Sequence, residues 1–124
     1  MAFPVDDDAI AAAEQALGRD LPHGLKARLR RDNGGEIDFL DDDWALHPVK
    51  DASDRKRLAR TASDIVRETA VARGWPRFPG SAIAVASNGE GDRLVLMPGS
   101  NALWYWDHRS GTVSEVTDAE SALK

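Results

Sequence analysis

The chain has no cysteine. Disulfides and thiolate metal sites are excluded, and a cytoplasmic setting is expected. Histidine is scarce: His23, His47 and His108 lie far apart, and no two are spaced to place ligands on one helix face. No apolar run approaches the roughly 20 residues of a membrane span. The start, Met1 to Asp8, lacks the basic opening and apolar centre of a secretory leader, so none is expected. A Gly-x-Ser-x-Gly elbow, a Walker-type phosphate loop and a dinucleotide fingerprint are all missing. Positive charge is in the minority, with 16 Lys and Arg against 21 Asp and Glu, a net charge of −5. That argues against a nucleic-acid partner, which needs a basic face, and suits a basic protein partner.

At 124 residues the chain fits one domain, 1–124. A domain of this size buries roughly two thirds of the surface its unfolded chain exposes and needs no staple. Asp6, Asp7 and Asp8 precede an apolar-periodic stretch ending at Gly18, which predicts a helix near 7–17 with acids at its positive end. A cation site is the sharper alternative for these aspartates. Leu21, Leu25 and Leu29 recur every fourth residue, so a second helix is expected near 22–31, with Pro22 at its first position and Asn33-Gly34-Gly35 at its end. The glycine pair could also cradle an anion. A third helix, capped by Ser53, is expected over 54–73 with Leu58, Ala62, Ile65, Val66 and Thr69 on its buried stripe. Lys50, Arg55, Lys56, Arg57 and Arg60 make its start basic, either as a solvated face or as a phosphate site. Thr117-Asp118-Ala119-Glu120 matches a capping box, predicting a short C-terminal helix over 118–123.

Ile37–Leu40 and Trp44–Leu46 alternate as strand fragments around Asp41, Asp42 and Asp43. From Ile83 to Val116, short apolar runs alternate with clusters of Gly, Asn and Pro, the pattern of an antiparallel meander. The class is therefore α+β: a central, mostly antiparallel sheet flanked by helices.

Candidate chemistry is thin. Asn88-Gly89-Glu90-Gly91-Asp92 offers oxygens, as a calcium loop would, but a hairpin turn explains both glycines. Asp107 and His108 are neighbours, and adjacent strand residues point to opposite faces, which works against a general-base pair. Asp92, Asp107 and His108 could serve a small metal-dependent hydrolase. No cofactor is expected. Trp104 and Trp106 share one strand face and Tyr105 takes the other; any aromatic left uncovered would favour binding.

Taken in order, Ile10 and Glu14 before Leu17-Gly18, then Leu21-Pro22, Asn33-Gly34-Gly35, Trp44-Ala45-Leu46-His47-Pro48, Ile83-Ala84, Gly91-Asp92 with Leu94 and Leu96, and Trp106-Asp107-His108 resemble the SUKH superfamily. Its members include bacterial immunity proteins and a yeast cell-wall regulator. The resemblance implies a SUKH-like α+β domain and, for many bacterial relatives, neutralisation of a co-encoded toxin by binding it. Leu21, Pro22, Asn33, Gly34, Gly35, Trp44, Gly91 and Asp92 read as architectural. The function expected is that of a cytoplasmic bacterial immunity protein, not an enzyme, acting by stoichiometric protein–protein contact. Asp41, Asp42, Asp43, Glu90, Trp104, Trp106, Asp107 and His108 are its candidate contact residues. A regulatory interaction module without a toxin partner is the alternative.

Overall fold

Helix starts follow the aspartates. In the computed structural model, which describes residues 3–116 and Leu123, α1 (Asp7–Leu17) begins on Asp6, whose side chain accepts from the Ala9 N–H at 3.0 Å. Gly18 closes α1 at φ 79°, its N–H bonded to the Glu14 carbonyl. The Glu14 carboxylate reaches forward to the Leu21 N–H at 2.7 Å and to Lys26 at 3.3 Å, which fixes the bend into α2 (His23–Arg31). Pro22 is the N-cap of α2 and not its first helical residue; its φ of −58° still leads into the helix. Leu25 and Leu29 are the buried apolar stripe of α2.

The helix expected over 54–73 is two helices, α3 (Arg55–Arg60) and α4 (Ile65–Ala72). The break falls at Thr61-Ala62-Ser63-Asp64, where side chains compete for backbone groups. The Thr61 hydroxyl donates back to the Arg57 carbonyl and accepts from the Asp51 N–H, both at 3.0 Å. Asp64 then starts a new helix by accepting from the Val66 and Arg67 N–H groups, each at 3.0 Å. Asp54, not Ser53, caps α3. The break turns Leu58 outward, 44% exposed, while Ile65 and Thr69 stay buried.

The strands are β1 (Glu36–Phe39), β2 (Asp42–Leu46), β3 (Ile83–Ser87), β4 (Arg93–Leu96), β5 (Leu103–Trp106) and β6 (Val113–Glu115). They lie in sequence order in a single sheet with every neighbouring pair antiparallel. The meander is β3 to β6. β2 meets β3 at only two positions, Ala45 with Ser87 and Leu46 with Ala86. Beyond them α4 takes over the open edge of β3: the Thr69 hydroxyl accepts from the Ala84 N–H at 3.0 Å, and Arg73 Nε donates to the Ala82 carbonyl at 3.2 Å. A long exposed strand edge is thereby covered. The helix expected over 118–123 falls outside the described residues except for Leu123, which is buried and whose carbonyl accepts from Arg31 at 3.0 Å. Among the described residues no helix is long and apolar enough to cross a membrane.

Strand alternation divides the core. Ile83, Val85, Leu94, Leu96 and Leu103 pack under Ile10, Leu25 and Leu29 of the first two helices. Ala84, Val95 and Trp106 point the other way, against Ala72 and Phe78. Trp75 stacks on Trp106 with ring centroids 6.2 Å apart, and Phe78 meets Trp106 edge-on at 5.0 Å. Both faces of the meander are therefore covered, and Tyr105 packs opposite to the tryptophans, as alternation requires.

His47 is buried where β2 leaves β3. Its Nδ1 lies 2.9 Å from the Ala84 carbonyl and so must carry the proton, while Nε2 has no partner among the described residues. Burial lowers its pKa from the usual 6.5, more than the Ala84 carbonyl raises it. The unfolded chain takes up a proton near pH 6.5 that the folded chain resists, so this contribution to stability is complete above that pH and is lost below it. Urea denaturation should show stability falling between pH 7 and pH 5.5, by at most about 1.4 kcal/mol per pH unit for one proton. His47→Gln should flatten that slope; an unchanged slope would place the titrating group elsewhere.

Candidate functional site

An antiparallel meander in sequence order puts every second turn at the same end. Here the turn of Leu40 and Asp41, the 88–92 turn and the 107–111 turn meet there. A buried carboxylate joins them. Asp92 is 4% exposed. Its Oδ1 accepts from the His108 backbone N–H at 3.1 Å and from the His108 ring Nδ1 at 2.6 Å. Its Oδ2 accepts from the Tyr105 hydroxyl and from Asn88 Nδ2 at 3.3 Å. The same Asn88 amide donates to Asp42 Oδ2 at 3.0 Å, and its Oδ1 accepts from the Asp92 and Glu90 N–H groups, each at 3.0 Å. One carboxylate thus ties the β3–β4 turn to the end of β5, and Asn88 carries the tie across to the start of β2.

Burial alone would raise the Asp92 carboxyl, but hydrogen bonds from Tyr105, from the ring and backbone of His108 and from Asn88 outweigh it. They hold the group well below the usual carboxylate range. Burial and the Asp92 carboxylate push the Tyr105 phenol well above its usual range. Asp92 is therefore an anion across the whole neutral range, satisfied by uncharged donors and an imidazole.

Gly91 explains how His108 gets there. It has φ 104°, and a Cβ on it would come within 3.3 Å of three atoms of the His108 ring. The missing side chain is the space in which the imidazole lies. Below it, Tyr105 packs edge-on against Trp44 at 5.7 Å, and Trp44 Nε1 donates to the Phe39 carbonyl at 2.9 Å. The aromatic pair carries the turn network down into the core.

The candidate contact residues divide by place. Asp41 and Asp43 are exposed beside Asp42, Glu90 is exposed across the gap, and Asp107 and His108 are half-buried on the third turn. Leu40 and Asp41 both adopt positive φ, 56° and 57°, and Leu40 is 49% exposed. A leucine held in the left-handed region at a tip carries a backbone cost of roughly 1 kcal/mol or more. Trp104 and Trp106 are not part of this group. Trp106 is buried with its Nε1 on the Arg77 carbonyl at 3.1 Å, and half-buried Trp104 donates to Ser100 Oγ at 3.2 Å. Sequence reasoning missed Leu40, Asn88 and Tyr105. Tyr105 had one signal, as the lone aromatic on its face of β5.

Asp92, Asp107 and His108 present ligand atoms within 4.8 Å of one another. Both Asp92 oxygens already hold two donors each, so a cation would have to displace the His108 or Tyr105 bond. Asp107 Oδ1 turns instead to the Arg109 N–H at 2.9 Å. The imidazole is oriented by Asp92, as a general base would be, yet among the described residues no hydroxyl is hydrogen-bonded to it. The arrangement fits a structural lock better than a metal centre or a catalytic dyad.

Asp92→Ala should destabilise the protein by about 2 kcal/mol in urea denaturation, because it leaves the part-buried Tyr105 hydroxyl and His108 N–H without their acceptor, while Asn88 keeps Asp42. The sign with pH follows from the depressed carboxyl: its contribution is complete above about pH 4 and is lost as the pH falls further. A loss under about 0.5 kcal/mol, the size expected of a plain surface change, would refute the lock.

The sequence was compared with known proteins. A family model described as the SMI1 / KNR4 family (SUKH-1) matches residues 4–121. No curated protein sequence matches the chain at a significant level.

Proposed function

The chain belongs to the SMI1 / KNR4 family (SUKH-1), and from that premise we propose that it is an immunity-type protein that binds and neutralises a cognate toxin domain in the bacterial cytoplasm. It acts stoichiometrically, by covering an active site or by holding the toxin in an inactive conformation. The observation that carries this reading is the acidic end of the sheet. Asp41, Asp43 and Glu90 are exposed at the end of the sheet where Asp92 and Asn88 tie the turns together, and Leu40 is exposed at the same end. An exposed leucine at an end of the sheet that carries exposed carboxylates suits a basic partner that offers a small apolar hollow. Rigidity before binding reduces the ordering cost of the complex. The net charge of −5 speeds encounter with a basic protein, such as a nuclease domain. Trp106 is excluded from the contact set by its burial.

The direct test is co-expression and co-purification with the product of a neighbouring toxin gene, together with protection of cells from that toxin. Leu40→Ser should weaken the complex mainly through faster dissociation. Reversing charge at Asp41, Asp43 and Glu90 together should slow association by about tenfold at low salt and less at high salt. Failure to bind or protect against any adjacent toxin would overturn the proposal. So would a pull-down that returns only endogenous partners unrelated to a toxin, which would favour a regulatory module.

A further inference from the structure

The basic stretch at α3 is not used by the acidic end of the sheet. It helps line a cleft of about 700 Å³ at the opposite end, between α2, the Asn33-Gly34-Gly35 turn and α3. That volume lies within the range of small-molecule sites, roughly 300–1,000 Å³. Arg28 forms its inner wall and is only 7% exposed. Its Nη1 donates to the carbonyls of Asp32 at 2.6 Å and Gly34 at 2.8 Å, and its Nη2 donates to Glu36 O at 3.4 Å. All these acceptors are neutral. Among the described residues no carboxylate is hydrogen-bonded to the Arg28 guanidinium, and its Nε–H donates to no protein acceptor and faces the water of the cleft. A guanidinium has five N–H donors; with Nη1 taken by two carbonyls, the Nε edge is the one left that can offer an oxyanion two parallel bonds.

The rest of the wall limits what that oxyanion can be. Arg57 is paired with Asp54 at 2.6 Å and with Asp51 at 3.7 Å, so its charge is largely answered. Across the lining, Arg28, Arg57 and Arg60 are balanced by Asp32, Glu36 and Asp51. Such a wall suits a single negative charge and not a dianion. The apolar part of the lining includes Phe3, Leu46 and Pro48. The Phe3 ring is clamped under Arg57 and Arg60, whose guanidinium carbons lie 4.5 and 4.8 Å from its centroid.

We infer that this cleft binds a small organic acid, a carboxylate joined to an apolar body, with the Nε edge of Arg28 as the anchor and Phe3 as the apolar wall. The site is separate from the acidic turns, so its failure leaves the toxin-binding proposal untouched.

Titration of the ¹⁵N-labelled protein with sodium phenylacetate, followed by NMR at the arginine Nε–H groups and the Phe3 amide, tests this. A saturable shift confined to Arg28, Arg57, Arg60 and Phe3 is expected, with acetate and inorganic phosphate binding at least about tenfold more weakly at matched ionic strength. Arg28→Lys keeps the charge but loses the planar edge, and Phe3→Ala removes the apolar wall; each should weaken phenylacetate binding about fivefold or more. Shifts no larger than those from sodium chloride would overturn the inference, as would phosphate binding as tightly as phenylacetate. Unchanged affinity in a folded Arg28→Lys protein would do the same. If that variant does not fold, unchanged affinity in Phe3→Ala decides against the site.

Discussion

The fold depends on one buried carboxylate. Taking Asp92 out of water costs several kcal/mol unless its lone pairs are filled. They are filled from different stretches of chain: the ring and backbone of His108, the Tyr105 hydroxyl and the Asn88 amide. Each donor must arrive at one place, so the anion specifies how the turns meet. Apolar packing between the helices and the sheet could tolerate small slips of a hairpin. The Asp92 network cannot, because a slip leaves a buried charge unanswered. Gly91 is the steric counterpart: its φ of 104° strains any side chain, and a Cβ there would come to 3.3 Å from the imidazole and press it aside.

The opposite end of the sheet is organised on the same principle with the sign reversed. Asn33 is buried, and its amide bridges both backbone groups of Val49, at 2.9 Å to the N–H and 2.8 Å to the carbonyl. The Asn33 N–H reaches back to the Phe3 carbonyl at 2.7 Å. Gly34 passes beside Pro48, where a Cβ would come to 3.3 Å. The Arg28 guanidinium gathers the carbonyls of the same turn. Polar side chains thus hold the chain at both ends of the sheet, while the apolar clusters fill the middle. The functional surfaces inferred for the molecule are these two polar ends.

Most of the fold was legible in the sequence. Aspartate caps, the leucine repeat of α2 and the glycine-punctuated meander correspond to helices and strands near their expected places. The elements that were not legible depend on side chains capturing backbone groups. Leu58 and Ala62 continue the helical stripe of Ile65, so periodicity alone joins α3 to α4; Thr61 and Asp64 break it through local hydrogen bonds that a hydrophobic pattern does not register. The site was legible only in part. Asp92 and Gly91 stood out as architecture and Asp41 to Asp43 as an acidic turn. The pairing of Asp92 with His108 spans sixteen positions and rests on strand register; the sequence grouped the two residues only with Asp107, as a possible metal set, and not as a structural hydrogen bond. Leu40 at the tip had no sequence signal, because nothing in the residues marks a leucine for positive φ.

Asp92 locks the turns of the acidic end into one surface. Amide hydrogen exchange, compared between the wild type and Asp92→Ala under native conditions, tests it most directly. If the claim holds, amides around 40–43, 88–92 and 107–111 lose protection together, while those of α1 and α2 keep theirs. Loss confined to 88–92, with the other two turns as protected as before, would contradict it.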